Sequence, residues 1–445
     1  MNNNSHKKIS ILSLLLAICI LTLGVLFGGC AKTDGFYDKI VEDFGVMKNI
    51  PDYKTSEKMQ ATKETVSFHG RYYEDKDLSA TMISFSNSGF TVKFIGTALE
   101  GTFITTRADD VRNKPYIAVA VDGKTDPSDC YALQFSSNGK YANGKSMKNG
   151  MFLHENVTIA CGLEYGEHVV SVYKRSECAT SRLGIKTVST DGKFLSPLKT
   201  DKLKIEVFGD SVSCGYAVES DSYYERFTTR TENAMKTFGY YCAYLLGGEV
   251  STVAAGGYPM YKSVYSEYNR PDCIPDMFSM AEFEYQTSFV HSWDNSFYVP
   301  DVTVVALGAN DGSFLRKYEE KTKEYNEFLS GFEAACEKFI NKIFSAYPKT
   351  LVIVSDEIIA IEPALSKILD EVVSKYAADG KNVERVKYKA ASLAKDRTLP
   401  GEGHPNEEMQ RIAGYELARA ISEKLGLNFD DEGFFDKYNS NDFSR

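Results

Sequence analysis

From residue 201 onward, short apolar runs alternate with longer stretches of helical periodicity. The strand-length runs are 203–208, 250–254, 302–307, 351–354 and 383–388. The helix-length stretches are 233–246, 318–347, 363–377 and 405–425, and the last is followed by Gly426, a typical helix stop. Continuous apolar strands are typical of sheets covered on both faces, and strands separated by helices form parallel sheets. The alternation predicts an α/β domain with a doubly wound parallel sheet over residues 201–427.

Residues 65–200 have a different pattern, without helical periodicity. Short β-like runs at 79–85, 90–95, 116–121 and 168–173 are separated by turn residues such as Asp122-Gly123 and Asn149-Gly150. Evenly spaced short strands form two sheets that cover each other's apolar faces, so we expect an N-terminal β-sandwich, a jelly roll. The mixed, charged segment 31–64 is interpreted as a linker, and residues 428–445 as a polar tail.

The first 30 residues have the pattern of a targeting signal. Lys7 and Lys8 precede an apolar run over 9–27, and small residues then lead to Cys30. This ending resembles a bacterial lipobox, in which Cys30 is lipidated and becomes the mature N-terminus. Phe27 stands where Leu is usual, so an uncleaved signal anchor is the alternative. Both alternatives predict a protein on the extracellular face of the bacterial cytoplasmic membrane, lipid-anchored or secreted.

Composition excludes some partners and cofactor sites. A formal net charge of −10 and a pI near 5.3 argue against a nucleic-acid partner, which is bound mainly through Lys and Arg. After the signal, seven Cys remain without C-x-x-C spacing, so zinc ribbons and a disulfide framework are not indicated. We expect most of these seven to be buried free thiols.

Four short blocks follow strands or precede the last helix of the predicted sheet. They are Gly209-Asp210-Ser211, Ala255-Gly256-Gly257, Gly308-Ala309-Asn310-Asp311 and Gly403-His404-Pro405. Functional sites of open α/β sheets lie at the carboxyl ends of the strands, where the first three blocks fall. The first block alone is no more than a common turn sequence. The four blocks in this order are far more specific.

In this order the blocks resemble those of SGNH hydrolases, also called the GDSL family. The resemblance implies an ester hydrolase in which Ser211 is the nucleophile and His404 its general base. A Ser hydroxyl needs such a base, and a neutral imidazole titrates near the working pH. The resemblance assigns oxyanion stabilisation to the N–H groups of Ser211 and Gly256 and to the amide of Asn310.

The third member of a catalytic triad is not at its usual position. Many SGNH hydrolases have Asp three residues before the His, where this chain has Gly401. Glu402, between two glycines, is the nearest acid. Either Glu402 reaches the imidazole, or a Ser–His dyad remains with a backbone carbonyl orienting the ring.

Most of residues 65–425 resemble carbohydrate esterase family 2. The matching segments include Gly70-Arg71-Tyr72, residues 89–97 and 172–177, and Trp293-Asp294 before the third block. The resemblance implies removal of acetyl groups from plant polysaccharides such as xylan or glucomannan, through an acyl-enzyme and without a metal or other cofactor. Trp293, the single Trp of the chain, is predicted to line the substrate cleft, with a packing role as the alternative.

Other functions stay open at this point. The catalytic blocks do not define the acyl or leaving group, so an SGNH lipase and a peptidoglycan O-acetylesterase are alternatives. A catalytically inactive lipoprotein that binds glycans is another. The P-loop-like sequence at 139–146 is interpreted as a chance match, because the residues after it read as a strand rather than a helix.

Overall fold

The computed structural model describes residues 52–138, 142–199, 201–266, 272–283, 285, 289–359, 361–389, 399–429, 431 and 434. The predicted signal over residues 1–30, with its lipidation site Cys30, lies outside this part of the chain. So do most of the predicted linker and tail. Within the described ranges, no helix combines the length and the apolar character needed to cross a membrane.

Two antiparallel sheets form the N-terminal region. Strands β1 to β13 are Glu57–Gln60, Ser67–His69, Tyr73–Asp75, Ala80–Met82, Gly89–Gly96, Leu99–Thr106, Tyr116–Val121, Tyr131–Gln134, Lys145–Ser146, Met151–Ala160, Gly166–Lys174, Leu183–Thr190 and Lys193–Phe194. One sheet has the order β3-β4-β12-β6-β10-β9, with β1 on β12, and the other the order β13-β5-β11-β7-β8, with β2 on β5. The predicted antiparallel sandwich is confirmed.

Alternation along β5 shows why the two sheets face each other. Phe90, Val92 and Phe94 are buried, whereas Thr91 and the other residues between them are partly exposed. Successive side chains of a strand point to opposite faces, so these three form one apolar face. They pack in a single apolar cluster with residues of the opposite sheet, among them Phe103, Ile159 and Ile185.

One segment of the N-terminal region differs from its predicted structure, and another agrees with its interpretation as a chance motif match. The strand β1 lies inside the segment 31–64 that was predicted to be a linker, and it pairs antiparallel with β12. The sandwich begins earlier than predicted because β12 offers backbone partners that the charged sequence of β1 does not reveal. The end of the P-loop-like sequence, Lys145–Ser146, is the strand β9 paired with β10, so it does not begin a phosphate-binding helix.

A five-stranded parallel sheet forms the core of the C-terminal region. Its strands are β14 (Lys204–Gly209), β15 (Glu249–Ala254), β18 (Val302–Ala306), β19 (Leu351–Ser355) and β20 (Val383–Val386), in the order β15-β14-β18-β19-β20. A separate antiparallel pair consists of β16 (Met280–Phe283) and β17 (Val290–Ser292). The helices α1 to α6 are Ser211–Cys214, Phe238–Leu245, Ala309–Leu315, Lys323–Ala346, Pro363–Ala378 and Glu407–Leu425.

Helices cover both faces of the parallel sheet. The helices α4 and α5 share one apolar cluster with Phe208, Val305 and Val354. The helices α2 and α6 share another with Val207 and Val304. Neighbouring residues of one strand therefore enter different cores, which explains why the strands are apolar at every position. The predicted doubly wound α/β fold is confirmed.

The strand order places the candidate site. Counted along the chain, the order is 2-1-3-4-5, so the direction of winding reverses between β14 and β18. A crevice opens at the carboxyl ends of the strands at such a reversal. Ser211 directly follows β14 across one intervening residue, and Asn310 lies just after β18. The fold therefore brings the first and third sequence blocks to this crevice.

A buried ion pair joins the sandwich to the parallel sheet. Arg71, just after β2, donates from Nε to Glu206 Oε1 in β14 at 3.0 Å, and both side chains are fully buried. Its Nη1 donates to the carbonyls of Met277 at 3.1 Å and Met280 at 2.7 Å. Because one guanidinium holds three segments, its loss leaves the buried Glu206 carboxylate without its cation and removes one donor from each of the two carbonyls.

We predict that Arg71→Ala lowers the free energy of unfolding by about 3–5 kcal/mol, because an uncompensated charge stays buried. Urea-induced unfolding followed by circular dichroism measures the change. The control is Lys93→Ala, which removes the partly exposed Lys93–Glu167 pair and is expected to cost less than about 1 kcal/mol. Equal losses in the two variants would contradict a special role for the buried pair.

Candidate active site

The first turn of α1 presents Ser211. Asp210 is the N-cap of this helix, and its carboxylate accepts from the Val212 N–H at 3.0 Å. Gly215 ends the helix in the left-handed conformation, with φ of 74°. Position 209 has no room for a side chain, since a Cβ there would lie 1.9 Å from Ser213 Oγ. The sequence therefore produces a sharp strand-to-helix turn with Ser211 at its tip.

His404 contacts Ser211 directly. Its Nε2 lies 2.9 Å from Ser211 Oγ, and its Nδ1 lies 3.0 Å from the carbonyl oxygen of Gly401. A carbonyl only accepts, so Nδ1 carries the proton in the neutral ring and Nε2 is left to accept from the Ser hydroxyl. The geometry therefore places the His404 imidazole beside the Ser211 hydroxyl, in the tautomer whose Nε2 can accept the hydroxyl proton.

An unusual backbone turn delivers that carbonyl. Gly401, Glu402 and Gly403 all have positive φ, at 52°, 59° and 91°. A Cβ on Gly401 would lie 2.2 Å from Ala217 Cβ, so the turn is packed against the residues that follow α1. A non-glycine residue such as Glu402 adopts positive φ only at a cost in free energy, which contacts with the surrounding structure must offset. This turn, packed against Ala217, places the Gly401 carbonyl at the edge of the imidazole, beside Nδ1.

Glu402 is directed away from the imidazole nitrogens. Its Oε2 accepts from the Tyr216 hydroxyl at 2.8 Å. The Tyr216 ring stacks on Phe227 at 3.9 Å between centroids and lies 4.2 Å from the His404 ring. Of the two arrangements left open by the sequence, the geometry matches the Ser211–His404 dyad with a backbone carbonyl as the orienting group. Glu402 acts on His404 only through its charge and through Tyr216.

Burial lowers the pKa of His404 below its ordinary value of 6.5. The Gly401 carbonyl and the Glu402 charge act in the opposite direction but do not cancel the effect of burial. The imidazole is therefore neutral at neutral pH, which is the form that can accept the proton of Ser211.

The predicted oxyanion donors have internal acceptors in this structure. The Asn310 amide donates to Asp210 Oδ2 at 2.7 Å and to the Tyr258 carbonyl at 3.3 Å. The Gly256 N–H donates to a Glu177 carboxylate oxygen at 2.6 Å. The structure thus brings both blocks beside Ser211, but it does not leave the Gly256 N–H directed at a substrate. Sequence reasoning did not foresee Glu177 here, because it comes from the sandwich.

Buried carboxyl groups beneath the site were also missed. Asp311 accepts from the N–H groups of Met260, Tyr261 and Lys262 at 2.8 to 2.9 Å, and burial raises its pKa to about 6. Burial likewise raises the pKa of Asp210 to about 7. The available signal was the acidic residue directly after Ala309-Asn310, which the sequence interpretation left without a role. Asp311 binds the loop that begins at Gly256 through these three backbone N–H groups.

Trp293 is not where the cleft prediction would place it. Its side chain is 5% exposed and packs in an apolar cluster with Tyr73, Met82 and Tyr298. The Arg71 guanidinium lies 5.7 Å from its ring centroid. So little exposed surface matches the packing alternative better than the predicted contact with substrate. The aromatic ring fills the junction between the sandwich and the segment that contains β16 and β17.

One group of described side chains has metal-like spacing. Ligand atoms of Glu177, Cys214 and Glu232, all buried, lie within 4.8 Å of one another. The carboxylates already accept from the N–H groups of Gly256 and Glu177, and the fully buried Lys174 ammonium interacts with all three side chains. These donors and this positive charge compete with a cation, so the group does not fit a metal site.

Comparison with known proteins agrees with the site. Residues 205–417 match the family described as GDSL-like lipases/acylhydrolases. This part of the chain, slightly less than half of its length, is similar to the GDSL hydrolases. The match supports a carboxylic ester hydrolase, and Ser211 and His404 both lie within the matched residues.

Two curated relatives are similar over part of their length. The cellulase/esterase CelE of Acetivibrio thermocellus is 29% identical over 196 residues, 43% of this chain and 22% of the relative. The acetylxylan esterase/glucomannan deacetylase of Cellvibrio japonicus is 31% identical over 149 residues, 33% of this chain and 40% of the relative. The matched regions are less than half of either relative.

Solved structures extend the likeness to both regions of the fold. A family two carbohydrate esterase from Cellvibrio japonicus superposes with a TM-score of 0.66 at 19% identity, covering 84% of this chain and 99% of that chain. One from Clostridium thermocellum in complex with cellohexaose gives 0.62 at 20% identity, covering 81% and 99%. At these identities the comparison concerns the fold alone, antiparallel sheets in the N-terminal region and a parallel sheet in the C-terminal region.

We predict that Gly401→Ala lowers kcat at least about 10-fold, because the added Cβ displaces the turn that orients His404 and small displacements of catalytic groups are costly. Hydrolysis of p-nitrophenyl acetate measures it. Gly380→Ala is the matched control, with φ of 73° but nothing within 4 Å of the added Cβ. It introduces similar backbone strain and is expected to leave kcat unchanged. A comparable loss in both variants would argue against positioning by the Gly401 carbonyl.

The pH dependence of the reaction follows from the pKa of His404. Because His404 must be neutral to act and burial lowers its pKa, we expect kcat/KM to decline only below pH 6.5 as the pH falls. Glu402→Gln removes a charge that raises this pKa, so the acidic limb should move to still lower pH. The measurement is kcat/KM from pH 4 to 8, with Glu423→Gln, an exposed carboxylate paired with Arg419, as control. A limb that moves to higher pH would refute the assignment.

Proposed function

We propose that this chain is an extracytoplasmic serine esterase that removes O-acetyl groups from polysaccharide of the xylan or glucomannan type. The observation that carries the proposal is the 2.9 Å contact between Ser211 Oγ and His404 Nε2, with Nδ1 held by a carbonyl. The names of the two curated relatives support the substrate class, since both include an esterase activity and one specifies acetylxylan and glucomannan.

The reaction proceeds in two halves. As Ser211 Oγ attacks the acetyl carbonyl, its proton passes to His404 Nε2, and the resulting imidazolium is stabilised by the Gly401 carbonyl on Nδ1. The same proton then goes to the sugar oxygen as the C–O bond of the ester breaks, which leaves acetyl-Ser211 and a free sugar hydroxyl. In the second half, water gives a proton to His404 and attacks the acetyl carbonyl. The bond between the acetyl carbon and Ser211 Oγ then breaks as His404 returns the proton to Oγ, and the acetic acid released ionises to acetate.

The developing oxyanion requires donors near Ser211. We assign this role to the amide of Asn310, which in this structure donates to Asp210, the residue next to the nucleophile, and to the Tyr258 carbonyl. It serves the oxyanion once it releases one of these two acceptors. Removing one oxyanion donor typically costs about 3 kcal/mol of transition-state stabilisation. No metal enters this scheme, because the neutral imidazole and the donors supply the proton transfer and charge stabilisation that ester hydrolysis needs.

The location belongs to the proposal as well. Support comes from the sequence, where Lys7, Lys8, the apolar run and Cys30 predict a lipoprotein-type signal or a signal anchor. An acetylated polymer of plant origin cannot enter the cytoplasm intact, so a surface position is consistent with the substrate proposed here.

The test is acetate release by the purified protein from acetylated xylan, acetylated glucomannan and O-acetylated peptidoglycan, assayed side by side. We expect release from xylan or glucomannan, and a loss of about 10⁴-fold or more in Ser211→Ala. The control is Ser213→Ala, in the same helix, whose hydroxyl faces Gly209 and which should retain activity. Preference for peptidoglycan would refute the substrate class, and equal rates for wild type and Ser211→Ala would refute the enzyme itself.

A further inference from the structure

Glu177 reaches the catalytic crevice from the sandwich. It stands three residues beyond the end of β11, in a segment held by the fully buried Lys174. The Lys174 Nζ donates to the carbonyls of Ser176 at 2.6 Å and Glu177 at 3.1 Å. The Glu177 backbone N–H donates to Glu232 Oε2 at 3.1 Å. The backbone of Glu177 is therefore placed by buried polar contacts at both its carbonyl and its N–H.

The carboxylate of Glu177 lies beside the nucleophile. Oε2 accepts from the Gly256 N–H at 2.6 Å. A Cβ placed on Gly256 would lie 3.3 Å from Glu177 Oε1 and 3.6 Å from Ser211 Cβ. Glu177 is 5% exposed, so this carboxylate is buried behind the crevice rather than in solvent within it.

The loop that begins at Gly256 is fixed at two points. Gly257 has φ of 81°, a conformation that glycine adopts freely and that leaves the chain flexible without anchors. Asp311 binds the far end through the N–H groups of residues 260–262. Glu177 binds the near end, at Gly256, whose Cβ position would lie 3.6 Å from Ser211 Cβ. A buried charge-assisted hydrogen bond of this kind sets the plane of a peptide group.

We propose that Glu177 is a positioning residue for the esterase reaction, which holds the Gly256 peptide and thereby the wall of the pocket in which the oxyanion develops. The inference rests on the proposed function and deepens it, since it makes the sandwich a working part of the active site. Gly256 then contributes to the reaction through the position of its peptide group in the pocket wall. Glu177 acts through Gly256 and does not itself contact the substrate.

The experiment compares Glu177→Ala, Glu177→Asp and Glu177→Gln by hydrolysis of p-nitrophenyl acetate. We expect Glu177→Ala to lower kcat about 10- to 100-fold with KM changed less than about threefold, because a displaced catalytic wall impairs the transition state more than binding. Glu177→Asp, too short to reach Gly256, should show an intermediate loss. Glu177→Gln should recover kcat to within about fivefold of wild type, since its amide oxygen still accepts from Gly256.

A matched control separates positioning from stability. Glu282 is as deeply buried and also joins the sandwich to the C-terminal region, by accepting from Tyr73, Ser84 and Arg182. Glu282→Gln should lower the melting temperature without lowering kcat. The inference is overturned if kcat of Glu177→Ala stays within about twofold of wild type, if Glu282→Gln loses as much kcat, or if Glu177→Gln gives no recovery.

A second readout does not depend on the ester substrate. Inactivation by phenylmethylsulfonyl fluoride reports attack by Ser211 and should be slowed in Glu177→Ala by about the same factor as kcat. Unchanged inactivation in that variant would overturn the inference. If wild type is inactivated but hydrolyses no ester faster than Ser211→Ala, the proposed function fails while the inactivation rates still decide the role of Glu177.

Discussion

The structure depends on the buried contact between Arg71 and Glu206. A guanidinium from the sandwich meets a carboxylate in the first strand of the parallel sheet, and it also binds the carbonyls of Met277 and Met280. A buried charge is costly without an opposite charge and hydrogen-bond partners, so the pair and the two carbonyls favour one relative position of the three segments. That position lets the chain after β11 carry Glu177 to the carboxyl end of β14.

The catalytic pair is built from backbone conformation as much as from side chains. The imidazole of His404 is oriented by a carbonyl that three consecutive residues with positive φ present to it. A carbonyl does not ionise, so the tautomer of His404 is insensitive to the protonation of a third group. In exchange, a carbonyl stabilises the imidazolium less than a full negative charge would. Glu402 supplies part of that charge from a distance, through the coulombic effect that raises the pKa of His404.

Carboxyl groups surround the nucleophile, yet none is the acid of a triad. Asp210 caps the helix that begins at Ser211, Asp311 fastens the neighbouring loop, and Glu177 accepts from Gly256. Burial raises the pKa of each of these groups, so they share the role of polar anchors in a low-dielectric interior. The strained turns and the crevice between β14 and β18 are held in place by these anchors rather than by apolar packing alone.

The sequence by itself predicted most of the elements and the two residues of the candidate dyad. Period-2 and continuous apolar runs reveal strands and helical periodicity reveals helices, because these signals are local. The resemblance of the four ordered blocks to the GDSL family implied the roles of Ser211 and His404. Tertiary structure alone decided that Gly401 rather than Glu402 orients the imidazole, that Glu177 binds Gly256 and that Trp293 is packed away. Each of these depends on contacts between segments far apart in the chain, such as residues 177 and 256, and on the sign of a few φ angles. Neither leaves a periodic trace in the sequence, so physical patterns read along the chain could not reveal them.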